Sequence, residues 1–281
     1  MEFDRGSRND DREPDRESQD GAHRMNEERK DIIRYQYRFE FEQGVETNFD
    51  VDLDSHSLAI LGDDDAPKPA WTKLNFNQCE NCPLSSEVEY CPVAVNLSRI
   101  VEKFKDNVSF ESTVVTVKTH ERTYVKKTTL QKGIASIIGL FMTTSNCPIM
   151  DKLRPMARFH LPFATSVETF FRSVSTYLTA QFLLSRKGRE PDWTLARLLE
   201  YYKAINLVNK GISNRLAKAS ERDANVNAVI ILHSFGDGIS YFIQDGLEEI
   251  EPMFSVFFEN LEGPVHQDVE KPSASTNPIA R

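Results

Sequence analysis

Four cysteines stand at Cys79, Cys82, Cys91 and Cys147, a Cys-x2-Cys-x8-Cys-x55-Cys spacing. In Cys79-Glu80-Asn81-Cys82 the two-residue gap lets one tight turn aim two sulfurs at a common point, and four cysteines are the ligand set of a closed structural zinc site. Proline follows three of them, in Cys82-Pro83, Cys91-Pro92 and Cys147-Pro148. Proline supplies no N–H and fixes the local backbone, and a Cys-Pro step also ends the bacterial ferredoxin ligand run. Zinc is therefore the first expectation and an iron–sulfur cluster the second. The third is metal-free, with Cys147 as a small core residue and Cys79 with Cys82 as an exposed or redox-active pair. The spacing matches neither the compact ferredoxin run nor a doubled Cys-x2-Cys knuckle. A thioredoxin-like site is disfavoured, because no βαβ pattern surrounds the pair.

A second set of residues follows Cys147. The run Arg154-Pro155-Met156-Ala157-Arg158-Phe159-His160-Leu161-Pro162-Phe163 places two Arg and one His among apolar residues. Glu168 and Arg172 come next at i and i+4, and Asp223 and Asn227 open a later helix. A cleft gathering Arg158, His160, Glu168, Arg172, Asp223 and Asn227 around a small anionic substrate is the enzyme hypothesis. The competing account is a buried polar network tying helix to cysteine loop, with His160 a satisfied core histidine. No nucleophile–base motif, P-loop, Gly-rich dinucleotide turn or HExxH helix is present, so catalytic residues stay unassigned and no nucleotide cofactor is expected. Asn209 falls on an apolar helical stripe, and Asp223, Asn225 and Asn227 open the next helix, so these residues need partners, expected across the bundle in Arg158, Arg172 or Arg215, with Asp223 as a simple N-cap the alternative. Lys118, His120, Arg122, Lys126 and Lys127 cluster on a hairpin, but Glu121 interrupts them and aromatic interleaving stops at Tyr124. A solvated strand face is expected there rather than nucleic-acid contact.

The elements that must position these groups are legible from periodicity. Residues 33–42 alternate apolar with polar, so Ile33, Tyr35, Tyr37, Phe39 and Phe41 share one face of a strand. Phe49, Val51 and Leu53 alternate again, and a third strand is expected at 57–61. Val93, Leu97, Ile100, Val101 and Phe104 mark a short amphipathic helix. A hairpin spans 115–129, and from Leu130 the period becomes 3.6. Helices are expected from Leu130, over 167–184, from Leu195, and from Asp223 to Phe258, the last broken by glycines between 236 and 246. Strands first and helices afterwards imply an α+β fold. It comprises an antiparallel sheet of four or five strands with one helix and the cysteine loop over 31–129, followed by a packed helical bundle over 130–262.

The chain has 281 residues, 40% hydrophobic and 27% charged, which is the composition of a globular protein. No apolar run approaches the length of a bilayer span, and residues 1–24 hold no apolar signal core, so a cytoplasmic location with reduced thiols is expected. The net charge of −9 disfavours a nucleic-acid or anionic-membrane partner and leaves an unidentified protein partner open. Residues 1–30 carry ten acidic and seven basic side chains against four apolar ones, too few to offset ordering entropy. Disorder is expected there and over 263–281, and Met25 is an alternative translation start.

The chain resembles a family of uncharacterised bacterial proteins, a domain of unknown function. The similarity rests on Trp71-Thr72-Lys73-Leu74, Cys79-x2-Cys82-Pro83-Leu84, Cys91-Pro92-Val93-Ala94-Val95-Asn96-Leu97, Cys147-Pro148, the Arg154–Phe163 run and Asp223-Ala224-Asn225-Val226-Asn227-Ala228. The resemblance implies one bacterial cytoplasmic unit over 33 to about 258 and transfers no activity. The family usually shows Gly before the last Cys-Pro. Asn146 takes that place here and also tolerates left-handed backbone.

Overall fold

A computed structural model describes residues 32–42, 44–62, 68–219 and 223–259. The segments expected to be disordered, and the choice between Met1 and Met25, lie outside these residues. Five antiparallel strands come first: β1 (Ile32–Phe41), β2 (Glu46–Asp54), β3 (Ile60–Leu61), β4 (Ser112–Lys118) and β5 (Thr123–Thr129). Their order is β3-β2-β1-β4-β5. The period-two pattern places Tyr35, Tyr37 and Phe39 of β1 on the buried face, beside Phe49, Val51 and Leu53 of β2 and Val115 and Val117 of β4. Tyr37 pairs with Phe49 on one side and Val117 on the other, so the apolar row runs unbroken across the sheet. The opposite face is polar, and the Arg34 guanidinium there grips Asp52 of β2 with two 2.6 Å bonds.

Two helices cover the apolar face. Helix α1 (Pro92–Phe104) opens with proline at its first position, where no N–H is needed, and buries Leu97, Ile100 and Phe104. Helix α2 (Leu130–Thr143) buries Ile134, Ile137 and Ile138. It approaches the sheet so closely at Gly133 that a Cβ there would lie 2.9 Å from both Phe39 and Val115. The rest is helical: α3 (Pro155–Arg158), α4 (Ser166–Arg186), α5 (Ala196–Ala219), α6 (Ala224–Tyr241) and α7 (Leu247–Ile250). Helices α5 and α6 join α1 and α2 in the main core through Ile205, Ile212, Ala228 and Val229, while Phe170, Tyr177, Tyr202 and Phe242 form a second cluster with α4. This is the expected α+β arrangement of a sheet followed by a helical layer.

The join expected between 236 and 246 falls at the far end of that window, because Gly236 and Gly238 do not break the last long helix, which runs through them to Tyr241. The break is a π-helical turn at Phe242–Gly246, followed by α7 and a 3-10 turn at Glu251–Phe257 that holds Pro252 near its start. Both glycines serve packing instead, since a Cβ at 236 would collide with the Asn206 amide oxygen and one at 238 would stand 2.6 Å from Phe170. Among the described residues no single helix is long and apolar enough to cross a membrane. The bent pair Ala224–Ile239 and Phe242–Phe257 reaches that length and composition only together.

Candidate functional site

The four cysteines arrive on three stretches of chain. Cys79 and Cys82 close a tight turn through the Cys82 N–H to the Cys79 carbonyl, 3.1 Å. Cys91 is the N-cap of α1 without a side-chain capping bond, and the nearby amides of Ala94 and Val93 pull its thiol down against the effect of burial. Cys147 follows α2, after Asn146 has turned the backbone at φ +63°, and the nearby amides of Met150 and Ile149 pull its thiol down against the effect of burial. The left-handed turn expected at Asn146 is thus present. Two of the four sulfurs therefore sit where exposed helical or turn amides stabilise negative charge.

Helix α5 forms the wall against which the loop is built. Ala204, Val208, Gly211, Arg215 and Lys218 recur at intervals of four and three, so they line one stripe. The Ala204 carbonyl accepts from Asn81, the Val208 carbonyl faces the Cys79 thiol at 3.9 Å, and Lys218 reaches Asn77. A Cβ at Gly211 would stand 2.6 Å from the Cys79 sulfur. Glycine inside a long helix costs about 1 kcal/mol relative to alanine, and here it admits the sulfur. Arg215, 1% exposed, donates to the carbonyls of Trp71 and Lys73 at 2.6 Å and of Leu74 at 3.2 Å. The same guanidinium acts electrostatically on Cys91, Cys79 and Cys82.

The sulfurs act on one another. Burial pushes the Cys79 thiol up to about 12, with further upward pressure from Cys91, Cys82 and Cys147 and a smaller opposing pull from Arg215. Burial raises Cys91 and Cys147 as well, against the amide bonds that lower them. All four are free thiols. Among the described residues no group of three or more His, Cys, Asp or Glu is drawn together at metal-holding geometry. The four thiols are gathered in one neighbourhood without being closed on a point.

The six-residue polar cleft is brought together only in part. Arg158, His160 and Arg172 line a common cleft of about 620 Å³ with Arg122 and Tyr124 of the β4–β5 hairpin. Glu168 instead closes a capping box, taking the Thr165 N–H at 2.7 Å and the Thr165 hydroxyl at 2.9 Å. Arg172 donates to the Met156 and Phe159 carbonyls rather than pairing with Glu168. Asp223 holds the Ser109 amide and hydroxyl, each at 3.0 Å, and Asn227 donates back to Asp223. That clamp ties the start of α6 to the loop before β4. The partners expected for Asn225 and Arg215 also differ: Asn225 donates to the Val101 carbonyl, and Arg215 serves the loop at Trp71–Leu74. Backbone carbonyls take these donors because each lies beside a loop or helix end with oxygens to spare, while the Asn225 amide oxygen and Arg215 Nε are buried without a partner.

His160 stands in a relay. The Tyr37 hydroxyl lies 2.5 Å from its Nε2 and 3.1 Å from the Ser136 hydroxyl, while the Tyr35 ring meets its edge at 5.3 Å. Packing of the ring among these groups pushes its pKa down to about 3, with a smaller contribution from the Arg172 charge. A neutral imidazole that weakly basic is a structural acceptor for Tyr37 rather than a general base at neutral pH. Its folded pKa lies below the unfolded value, so the unfolded chain binds the extra proton and stability falls as pH drops from about 6.5 toward 3. The slope attributable to this group is at most about 1.4 kcal/mol per pH unit, softened where the ring borders the cleft. Denaturant titrations between pH 4 and 7 should show a flatter acid limb for His160→Gln than for the wild type. Parallel limbs would remove His160 from the acid sensitivity.

A family model matches residues 35–255, a span that holds all four cysteines. The chain belongs to the family described as domain of unknown function DUF6901. No curated protein and no solved structure matches it. Within this DUF6901 domain the periodicities that predict the strands and helices leave Arg215, Gly211 and the Tyr37–His160–Ser136 relay unmarked. The one signal available for Gly211 is a glycine midway through a long helical pattern.

Proposed function

We propose that the four cysteines form a tetrathiolate metal site, with structural zinc as its ion, that ties the loop after β3 to the start of α1, to the end of α2 and to α5. The protein is then an interaction or regulatory protein whose fold the metal completes. The observation that carries this is the gathering of Cys79, Cys82, Cys91 and Cys147 from three chain segments, close enough that each sulfur's charge is felt by others. The amide pairs on Cys91 and Cys147 favour thiolate, and Arg215 offsets part of the remaining charge. Zinc–sulfur bonds of about 2.3 Å require the sulfurs to turn inward from their present positions. The same donors also suit an iron–sulfur cluster, and thiols kept free in this way suit a reducing compartment.

Metal removal tests the proposal. Stripping anaerobically purified protein with a strong chelator should lower its thermal midpoint by well over about 10 °C, because ligand binding and folding are coupled. Added zinc should restore it. A midpoint indifferent to both treatments would overturn the proposal.

A further inference from the structure

A second cavity, of about 410 Å³, lies between α2, the 150–165 segment, α5 and α6. None of the four cysteines lines it. Its body is apolar, with Leu140, Met150, Met156, Ile205, Leu232 and Phe235 in the wall. Its two ends differ. At the outer end Lys126 and Lys132 are exposed, and Arg172 borders both this cavity and the Arg158–His160 cleft. Arg172 spends one nitrogen on two backbone carbonyls, and its nearest acid, Glu168, is committed to Thr165. At the inner end Asn209 is 3% exposed, and its amide oxygen has no hydrogen-bond partner. A buried acceptor of that kind costs about 1–3 kcal/mol unless a donor reaches it. Tyr202 marks the Arg172 end, since its hydroxyl bonds Ser173, the residue after Arg172 on α4. Tyr202 and Asn209 lie seven residues apart on α5, which is about 10 Å along the axis.

We propose that this cavity binds an amphipathic small molecule with a carboxylate at one end, an apolar chain of about 10 Å between, and a hydroxyl at the other. The carboxylate meets Arg172 with Lys126 and Lys132 at the mouth, the chain fills the apolar wall, and the hydroxyl pairs with the Asn209 amide as that group turns toward it. Apolar pockets with a few convergent polar groups are the usual form of such sites.

The test is calorimetric titration of the full chain with ω-hydroxydecanoate, decanoate and decanol. The hydroxy acid should bind tightest, by about tenfold over decanoate for one buried hydrogen bond, and decanol weakest. Asn209→Leu should erase the difference between the two acids. Gly139→Leu should weaken all three ligands at least tenfold while keeping the fold. Gly139 borders the cavity, and a Cβ there would meet only Leu232, at an ordinary 3.6 Å. No saturable binding of ω-hydroxydecanoate, equal affinity of the two acids, or binding that ignores both substitutions would overturn the proposal.

Discussion

Replacing Arg215 by methionine should destabilise the protein by about 3–5 kcal/mol, a large part of the roughly 5–15 kcal/mol that holds a domain together. The stem is retained in the substitution, so the loss comes from the guanidinium. Its removal leaves the carbonyls of Trp71, Lys73 and Leu74 without their donor, in a place that is 1% exposed at Arg215 itself. It also deletes the cation that faces Cys79, Cys82 and Cys91. Lysine restores a charge but not the fork, so Arg215→Lys should recover only part of the loss. Urea denaturation of the three proteins measures the difference, and thiol-reagent kinetics should show Cys79 and Cys82 more accessible in Arg215→Met as the loop leaves α5, with the gain at Cys79 partly offset by loss of the cation that favours its thiolate. A loss below about 1 kcal/mol would mean that water replaces the guanidinium and that the loop does not hang on α5.

Cys91→Ala should have the second large effect. As packing alone, deleting one buried sulfur costs about 1 kcal/mol. As a metal ligand it costs far more, because structural zinc contributes about 10–16 kcal/mol of folding free energy in small sites and needs all of its donors. The two accounts separate when the substitution is made both in metal-replete and in chelator-stripped protein. The metal account expects a drop of several kcal/mol in the first background and about 1 kcal/mol in the second. Equal losses in both backgrounds would assign Cys91 to packing.

Particular residues explain which parts of the molecule are visible in its sequence. Ile33, Tyr35, Tyr37, Phe39 and Phe41 alternate cleanly, so β1 and its buried face are legible, as are α1 and α2 from their apolar spacing. Those patterns record burial, which is local and periodic. The break after α6 lies within the 236–246 window that its glycines mark, but Gly236 and Gly238 do not make it, since both make room for Asn206 and Phe170. Side-chain partners expected for Arg215 give way to carbonyls 144, 142 and 141 residues away, and backbone oxygens carry no side-chain signature. The polar cleft is half legible for a related reason. Arg158, His160 and Arg172 face one cleft, but Glu168 and Asp223 have nearer work as a cap and a loop clamp.

The most direct test of the metal proposal is elemental analysis with an absorption spectrum on protein purified without air. About one zinc per chain, no visible absorption, and loss of that zinc in Cys91→Ala would be the result predicted for a closed tetrathiolate site. Iron with sulfide and a broad visible band would replace zinc by a cluster on the same thiols. Protein free of metal that does not take up zinc would contradict the account and leave the four cysteines as a packed thiol group against α5.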